Sequence, residues 1–262
     1  MANYDILGNI VILKTEGLKR KQAQTTAKEL LKKPGITTVV EKVERLKGRL
    51  RVPKLKHVLG EKTFVATYKE SGCVFVLDVR TCYFSPRLSN ERLEIAKKIK
   101  KIGKKSKVLV MFSGVGPFPI VISKFADLDN KIVAIELGKE CNKYAKENLK
   151  KNKILNDIEL IQGDVKRIIP GLKKKNQKFD IIVMPRPNLK DSFLSCALDV
   201  SKKGTIIYYY GFCHEDELKT MKQGLIQEAK DCGKKIKILK VKQAGDIAPF
   251  KFRYRIEIKV LN

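Results

Sequence analysis

Val108-Leu109-Val110-Met111-Phe112-Ser113-Gly114-Val115-Gly116-Pro117-Phe118 is the stretch that decides the fold of this chain. Its continuous apolar run, Val108 to Met111, marks a strand over 107–111 buried on both faces. Ser113 to Pro117 follows at once as a glycine turn and opens a helix over 118–126. Glycines at such a turn let a ligand approach the backbone where a Cβ would block it. A plain tight turn between strand and helix uses glycine in the same way. The third glycine of the dinucleotide fingerprint is missing, because Phe118-Pro119-Ile120 stands in its place, and this argues against a nicotinamide cofactor.

Outward from this unit, strands and helices alternate. Strands are expected at 132–135, 158–161, 180–184 and 205–210, with helices near 139–152, 165–174 and 189–201 between them. A helix near 214–232 precedes strands near 236–242 and 252–260, joined by Ala244-Gly245-Asp246 as a hairpin. The pattern predicts an α/β fold with a mostly parallel seven-stranded sheet covered on both faces and an antiparallel strand at its end. A helix over 90–102, with Leu93, Ala96, Ile99 and Ile102 at helical spacing, leads into it.

The first 80 residues differ. Residues 4–13 read as a strand broken at Gly8-Asn9, and 18–33 as a helix stopped by Pro34-Gly35. A strand over 36–43 ends at the Lys47-Gly48 turn, and 63–68 with 74–79 form a hairpin around Glu70-Ser71-Gly72. The chain therefore divides into a small α+β module over 1–82 and an α/β domain over 83–262.

Composition narrows the function. The 262 residues are 43% hydrophobic, enough for a core, which excludes a disordered chain. No apolar run reaches the ~20 residues of a membrane span, and the N-terminus lacks a secretory pattern, so a cytoplasmic protein is expected. Lys and Arg number 56 against 28 acids, a net charge of +28 that points to a polyanionic partner. The basic positions cluster at Lys42, Arg45, Lys47, Arg49, Arg51, Lys54 and Lys56 of the small module. The six cysteines form no Cys-x-x-Cys pair and only two histidines accompany them, so buried reduced thiols and no metal site are expected.

Glu136 ends the second strand of the α/β domain, 20 residues after Gly116. A carboxylate there can accept both hydroxyls of a ribose bound over the glycine turn. Asp164, in Gln162-Gly163-Asp164, ends the third strand and can accept an adenine amino group. Glycine turn, strand-end acid and strand-end aspartate together describe an S-adenosylmethionine site of a class I methyltransferase. The segment Met184-Pro185-Arg186-Pro187 ends the next strand at the edge that faces the group being modified. Two prolines fix its backbone and Arg186 offers a donor for a base or phosphate, or is simply a solvated arginine.

Tyr83-Phe84-Ser85-Pro86-Arg87-Leu88-Ser89-Asn90-Glu91-Arg92, joined to Met111-Phe112-Ser113-Gly114-Val115-Gly116-Pro117-Phe118, closely resembles the archaeal tRNA (guanine-37 N1) methyltransferases, the Trm5/Tyw2 group. The resemblance extends over nearly the whole chain. It implies a small tRNA-binding module followed by a Rossmann-like methyltransferase domain. It also implies S-adenosyl-L-methionine as cofactor, the tRNA anticodon stem-loop as partner, and a monomer. Some members carry a further N-terminal module that reads the tRNA elbow, and this chain is expected to lack it. By motif, Tyr83, Phe112, Gly114 and Gly116 would hold the cofactor together with Glu136 and Asp164. Glu91 would be the general base that takes the N1 proton, Arg51 would contact guanine O6, Arg87 would orient the catalytic segment and bind phosphate, and Pro187 would belong to that segment.

The residue types suit the chemistry, since guanine N1 becomes nucleophilic only as its proton leaves and a cation at O6 stabilises the developing charge. Each has a plainer alternative. Glu91 could be an acid favoured in a helix's first turn, Arg87 an ion pair with Glu91 four residues on, and Arg51 one more phosphate-binding cation. Two positions depart from the family pattern: Val110 stands where an Asp is usual, and Pro185-Arg186-Pro187 where Asn-Leu-Pro is usual. The alternatives are a Tyw2-like aminocarboxypropyl transferase and a non-catalytic RNA-binding protein on the same fold.

Overall fold

Residues 3–14, 20–47, 52–154, 157–186 and 190–262 are described by a computed structural model. In the first part of the chain, β1 (Asn3–Leu7), β2 (Ile10–Lys14), β3 (Thr38–Lys47) and β4 (Val52–Gly60) form a four-stranded sheet in the order β1-β2-β3-β4. Helix α1 (Arg20–Leu31) lies on it, burying Ala27 and Leu30 against Val11, Leu13 and Val39. Strand β4 was not anticipated from the sequence. Its Pro53, Lys54, Lys56 and His57 read as polar linker, which is the composition that protects an edge strand.

Strands β5 (Val65–Glu70) and β6 (Cys73–Asp78) make the expected hairpin as a separate two-stranded sheet. The hairpin is fastened to both neighbours. On one side, the β1–β2 turn presses against it so closely that a Cβ on Gly8 would lie 1.9 Å from the Thr67 carbonyl oxygen, and the φ of +58° there also demands glycine. On the other side, the β6 backbone pairs with side chains of α4 (Lys139–Lys151) and the residue beyond it. Asn148 Oδ1 accepts from the Val76 N–H at 2.7 Å and its Nδ2 donates to the Val76 and Val115 carbonyls. Asn152 repeats the arrangement on Val74. Arg92 closes the contact with a buried two-nitrogen grip on Glu70.

The large sheet has seven strands, β7 (Val108–Met111), β8 (Ile132–Glu136), β9 (Ile158–Gln162), β10 (Phe179–Met184), β11 (Ser201–His214), β12 (Ile236–Ala248) and β13 (Lys251–Val260). Their order is β12-β13-β11-β10-β7-β8-β9, parallel from β9 to β11, with β13 antiparallel to both its neighbours. Strand residues alternate between two cores. Val108, Val110, Val183, Tyr208 and Tyr210 face α2 (Ser89–Ile102) and α3 (Pro117–Ala126). Leu109, Met111, Ile182, Met184 and Tyr209 face α5 (Val165–Lys174), α6 (Leu194–Asp199) and α7 (Leu218–Asp231). This period of two explains the unbroken apolar runs of the central strands.

Two expectations are corrected. The helix predicted over 189–201 is only α6, because Asp191 Oδ1 and Ser192 Oγ accept the Phe193 and Leu194 N–H groups and Phe193 turns left-handed. The last hairpin does not turn at Ala244-Gly245-Asp246. Shifts in register absorb those residues as bulges, and β12 runs on to a turn at Pro249-Phe250. No helix among the described residues is long and apolar enough to cross a membrane.

Candidate active site

The parallel strands end along one edge, and a cleft opens there. Its floor is the glycine turn. Phe112, at φ +58°, leaves β7 in the left-handed region, an uncommon state for an aromatic residue, and Gly114 continues at +56°. Gly116, at +87°, caps α3 behind the cleft wall and is not among the lining residues. The Phe112 ring is held edge-to-face against Phe193, with centroids 5.0 Å apart.

Glu136 binds this turn from β8. Its Oε2 accepts the Gly114 N–H and its Oε1 the Gly138 N–H, each at 2.7 Å. Burial pushes its pKa up, while bonds from the Gly138, Gly114 and Leu137 amides oppose the rise. Each carboxylate oxygen keeps acceptor capacity, and the residue lines the cleft. Asp164 lines the same cleft and caps α5, accepting the Lys166 N–H at 3.0 Å. Ile135, Leu137, Val165 and Phe193 add apolar lining, as do Tyr83 and Leu88.

Of the residues read as cofactor-binding, Tyr83, Phe112, Gly114, Glu136 and Asp164 are therefore brought together. The catalytic set is more scattered. Glu91 is buried, and its carboxylate accepts from Lys242 Nζ at 2.7 Å, Arg255 Nη1 at 2.6 Å and the Tyr210 hydroxyl at 3.2 Å. It is not a lining residue, whereas Tyr210 is. Arg87 does not pair with Glu91; its exposed guanidinium reaches Asp5 of β1 at 3.3 Å. Arg51 and Pro187 lie outside the described residues. Arg186 is not a solvated arginine. It is buried on the cleft wall, donates to the Asp191 carbonyl at 2.5 Å and lies over the Tyr209 ring, with burial lowering its pKa. Val110 sits in the apolar layer under α2 and α3, away from the lining.

Among the lining residues missed from the sequence are Tyr210, Phe212 and Arg253. They belong to the ends of β11 and β13 that project past β10. The signal was present in the alternation of β13, where Lys251, Arg253, Arg255, Glu257 and Lys259 share one face and apolar or aromatic residues the other.

A cleft lined by apolar residues and two carboxylates, over a glycine turn, fits the nucleoside of S-adenosylmethionine: apolar walls for adenine, Glu136 for ribose hydroxyls and Asp164 for an amino group. Sheet order and site together define a class I S-adenosylmethionine-dependent methyltransferase. Residues 66–239 match the model of the TRM5/TYW2 methyltransferase domain, and residues 1–63 that of the TYW2 N-terminal domain. The chain is 30% identical over 98% of its length to a Pyrococcus abyssi tRNA (guanine(37)-N(1))-methyltransferase Trm5b, covering 74% of that protein. It is 31% identical over 99% of its length to a Nanoarchaeum equitans tRNA (guanine(37)-N(1))/4-demethylwyosine(37)-methyltransferase Taw22, covering all of it. The solved complex of aTrm5 with tRNALeu superposes with a TM-score of 0.84 at 28% identity, over 99% of this chain and 72% of that one. The chain belongs to the TRM5/TYW2 methyltransferase family.

Proposed function

We propose that this chain transfers a methyl group from S-adenosylmethionine to N1 of guanosine 37 in tRNA. The observation that carries the reading is the Glu136-bound glycine turn at the floor of a cleft, in a chain that aligns along 98% of its length with a guanosine-37 methyltransferase. The cofactor, when bound, supplies an electrophilic methyl group. The chain's own residues orient it: Glu136 and Asp164 accept hydrogen bonds from its nucleoside, and the apolar walls exclude water.

Glu91 is the proposed proton acceptor, one layer behind the cleft. Tyr210, which lines the cleft and donates to Glu91, is the proposed relay. Its hydroxyl takes the N1 proton as it passes its own to the carboxylate. Arg255 and Lys242 hold the Glu91 carboxylate in place behind that hydroxyl. Arg51 is assigned to guanine O6, Arg87 to phosphate and Pro187 to the segment beside the base. The module over residues 1–82 is assigned to the phosphates of the anticodon stem-loop, with the protein acting as a cytoplasmic monomer.

A second reading, transfer of the aminocarboxypropyl group of the same cofactor, is favoured by the match of residues 1–63 to the TYW2 N-terminal domain. One assay separates the two. Purified protein is incubated with methyl-labelled cofactor and tRNA transcripts bearing guanosine or adenosine at position 37, and the nucleosides are weighed. Methyl label on guanosine 37 alone is expected. An aminocarboxypropyl mass selects the second reading, and an unmodified tRNA rejects both.

A further inference from the structure

One face of the β11–β13 ribbon carries aromatic rings and cations in register. Tyr210 pairs with Arg255, Phe212 with Arg253 and His214 with Lys251. Successive pairs are two residues apart, so all six side chains share a face. Tyr210, Phe212 and Arg253 line the cleft, and the Arg253 guanidinium lies 5.4 Å from the Phe212 ring centre. The row starts beside the buried Glu91 and climbs outward past the end of β10, because β11 continues for five residues beyond the Met184–Tyr209 pair.

The row ends at Phe250 in the Pro249-Phe250 turn. The residue is 66% exposed, and its ring stacks on His214, with centroids 6.5 Å apart and planes 29° from parallel. Its backbone sits at φ +54°, where glycine or asparagine would be unstrained. The turn is fixed, since the Phe250 carbonyl accepts the Glu215 N–H at 3.1 Å. A large apolar ring held in an unfavourable backbone state, outside any core, gains nothing for folding.

We infer that Phe250 and His214 form a stacking platform for a nucleobase next to the target nucleotide, and that the β11–β13 face is the path of single-stranded RNA out of the cleft. The inference rests on the proposed tRNA substrate. A base taken out of its stack for modification leaves a neighbour without a partner, and aromatic faces alternating with cations are how proteins hold unstacked strands. Glu215, Asp216 and Glu217 beside the tip disfavour a phosphate there, so the ring meets the base and not the backbone.

The test uses the full chain and an anticodon stem-loop RNA with 2-aminopurine next to guanosine 37. Wild-type protein should quench the probe, and Phe250→Ala should not. Affinity for the RNA should fall ~5–100-fold in Phe250→Ala and recover in Phe250→Trp. Because no phosphate contact is lost, the slope of log affinity against log salt should stay unchanged. Affinity for S-adenosylmethionine should not move. Phe250→Gly should melt higher than wild type while binding RNA as weakly as Phe250→Ala, since glycine relieves the backbone. Wild-type RNA affinity and quenching in Phe250→Ala would overturn the inference. So would Phe250→Ala dissolving a dimer without touching RNA affinity, which gives the tip to a second copy of the chain. If wild type methylates guanosine 37 and Phe250→Ala is unchanged, only this inference fails; if wild type binds cofactor but no stem-loop RNA, the tRNA reading falls with it.

Discussion

Arg255 Nη1 donates to Glu91 Oε2 at 2.6 Å, joining the last strand of the sheet to the first turn of α2. Its Nη2 binds Glu94 and Glu257, while Lys242 bridges Glu91 and Glu94 and Lys98 completes Glu257. Three carboxylates thus meet three cations directly behind Tyr210. Desolvation offsets most of the Coulomb gain in such a cluster, so its contribution is geometric. It sets the position of α2, and with it Glu91, against the projecting ends of β11 and β13.

Removing one member exposes that balance. Arg255→Leu leaves Glu91 buried without its main partner and should cost about 3–5 kcal/mol in urea unfolding. Lys242→Met, on a more exposed side chain, should cost under ~1 kcal/mol. Comparable losses for the two variants would show that the cluster is not organised around Arg255.

Acid should loosen the same contact. The hydrogen bond from Arg255, then that from Lys242, hold Glu94 down at about 2 from an ordinary 4.5, against burial. A carboxyl lowered by folding stabilises the protein fully above its unfolded value, and that stability fades as pH falls through the window from 4.5 towards about 2. Unfolding midpoints followed through this window should decline less in Glu94→Gln than in wild type. Parallel declines would place the acid sensitivity elsewhere.

At the cleft floor, Glu136→Ala removes the acceptor of two backbone amides as well as the proposed ribose contact. Cofactor affinity by calorimetry should fall ~10–150-fold, the equivalent of one charged hydrogen bond. Glu136→Gln should fall less, because its amide oxygen can still accept one of the two N–H groups. Undiminished binding in folded Glu136→Ala takes the residue out of the site.

For the proton, Glu91→Gln should retain cofactor and tRNA binding and slow the single-turnover chemical step ~10²–10⁴-fold. Tyr210→Phe should slow it as well, since the relay passes through its hydroxyl. Methylation by Glu91→Gln within a few-fold of wild type would end the assignment of Glu91 as base. Slow Glu91→Gln with fast Tyr210→Phe would keep the base and discard the relay.

Much of this architecture was legible because it is local. Central strands such as Val108–Met111 bury both faces and announce themselves as apolar runs. Strand-end acids such as Glu136 and Asp164 fall at spacings fixed by one βα unit. What stayed hidden depends on distant partners. Glu91 looks like any acid in a helix's first turn, and its bonds to Lys242 and Arg255 span 151 and 164 residues of sequence. Gly245 drew the hairpin turn to itself, although the sheet absorbs it as a bulge and turns at Pro249-Phe250, where a left-handed phenylalanine is not an expected turn residue.

The β5–β6 hairpin joins neither of the larger sheets, yet it is gripped by Gly8 and Asn9 on one flank and by Arg92, Asn148 and Asn152 on the other. A linker held this way cannot act as a tether. The two sheets on either side of it are expected to melt as one cooperative unit, with a single calorimetric peak whose van't Hoff and calorimetric enthalpies agree. Asn148 also holds the Val115 carbonyl in the glycine turn, so the same side chain touches the hairpin and the cofactor floor. A change at the hairpin is therefore expected to register at the cofactor floor, through one side chain.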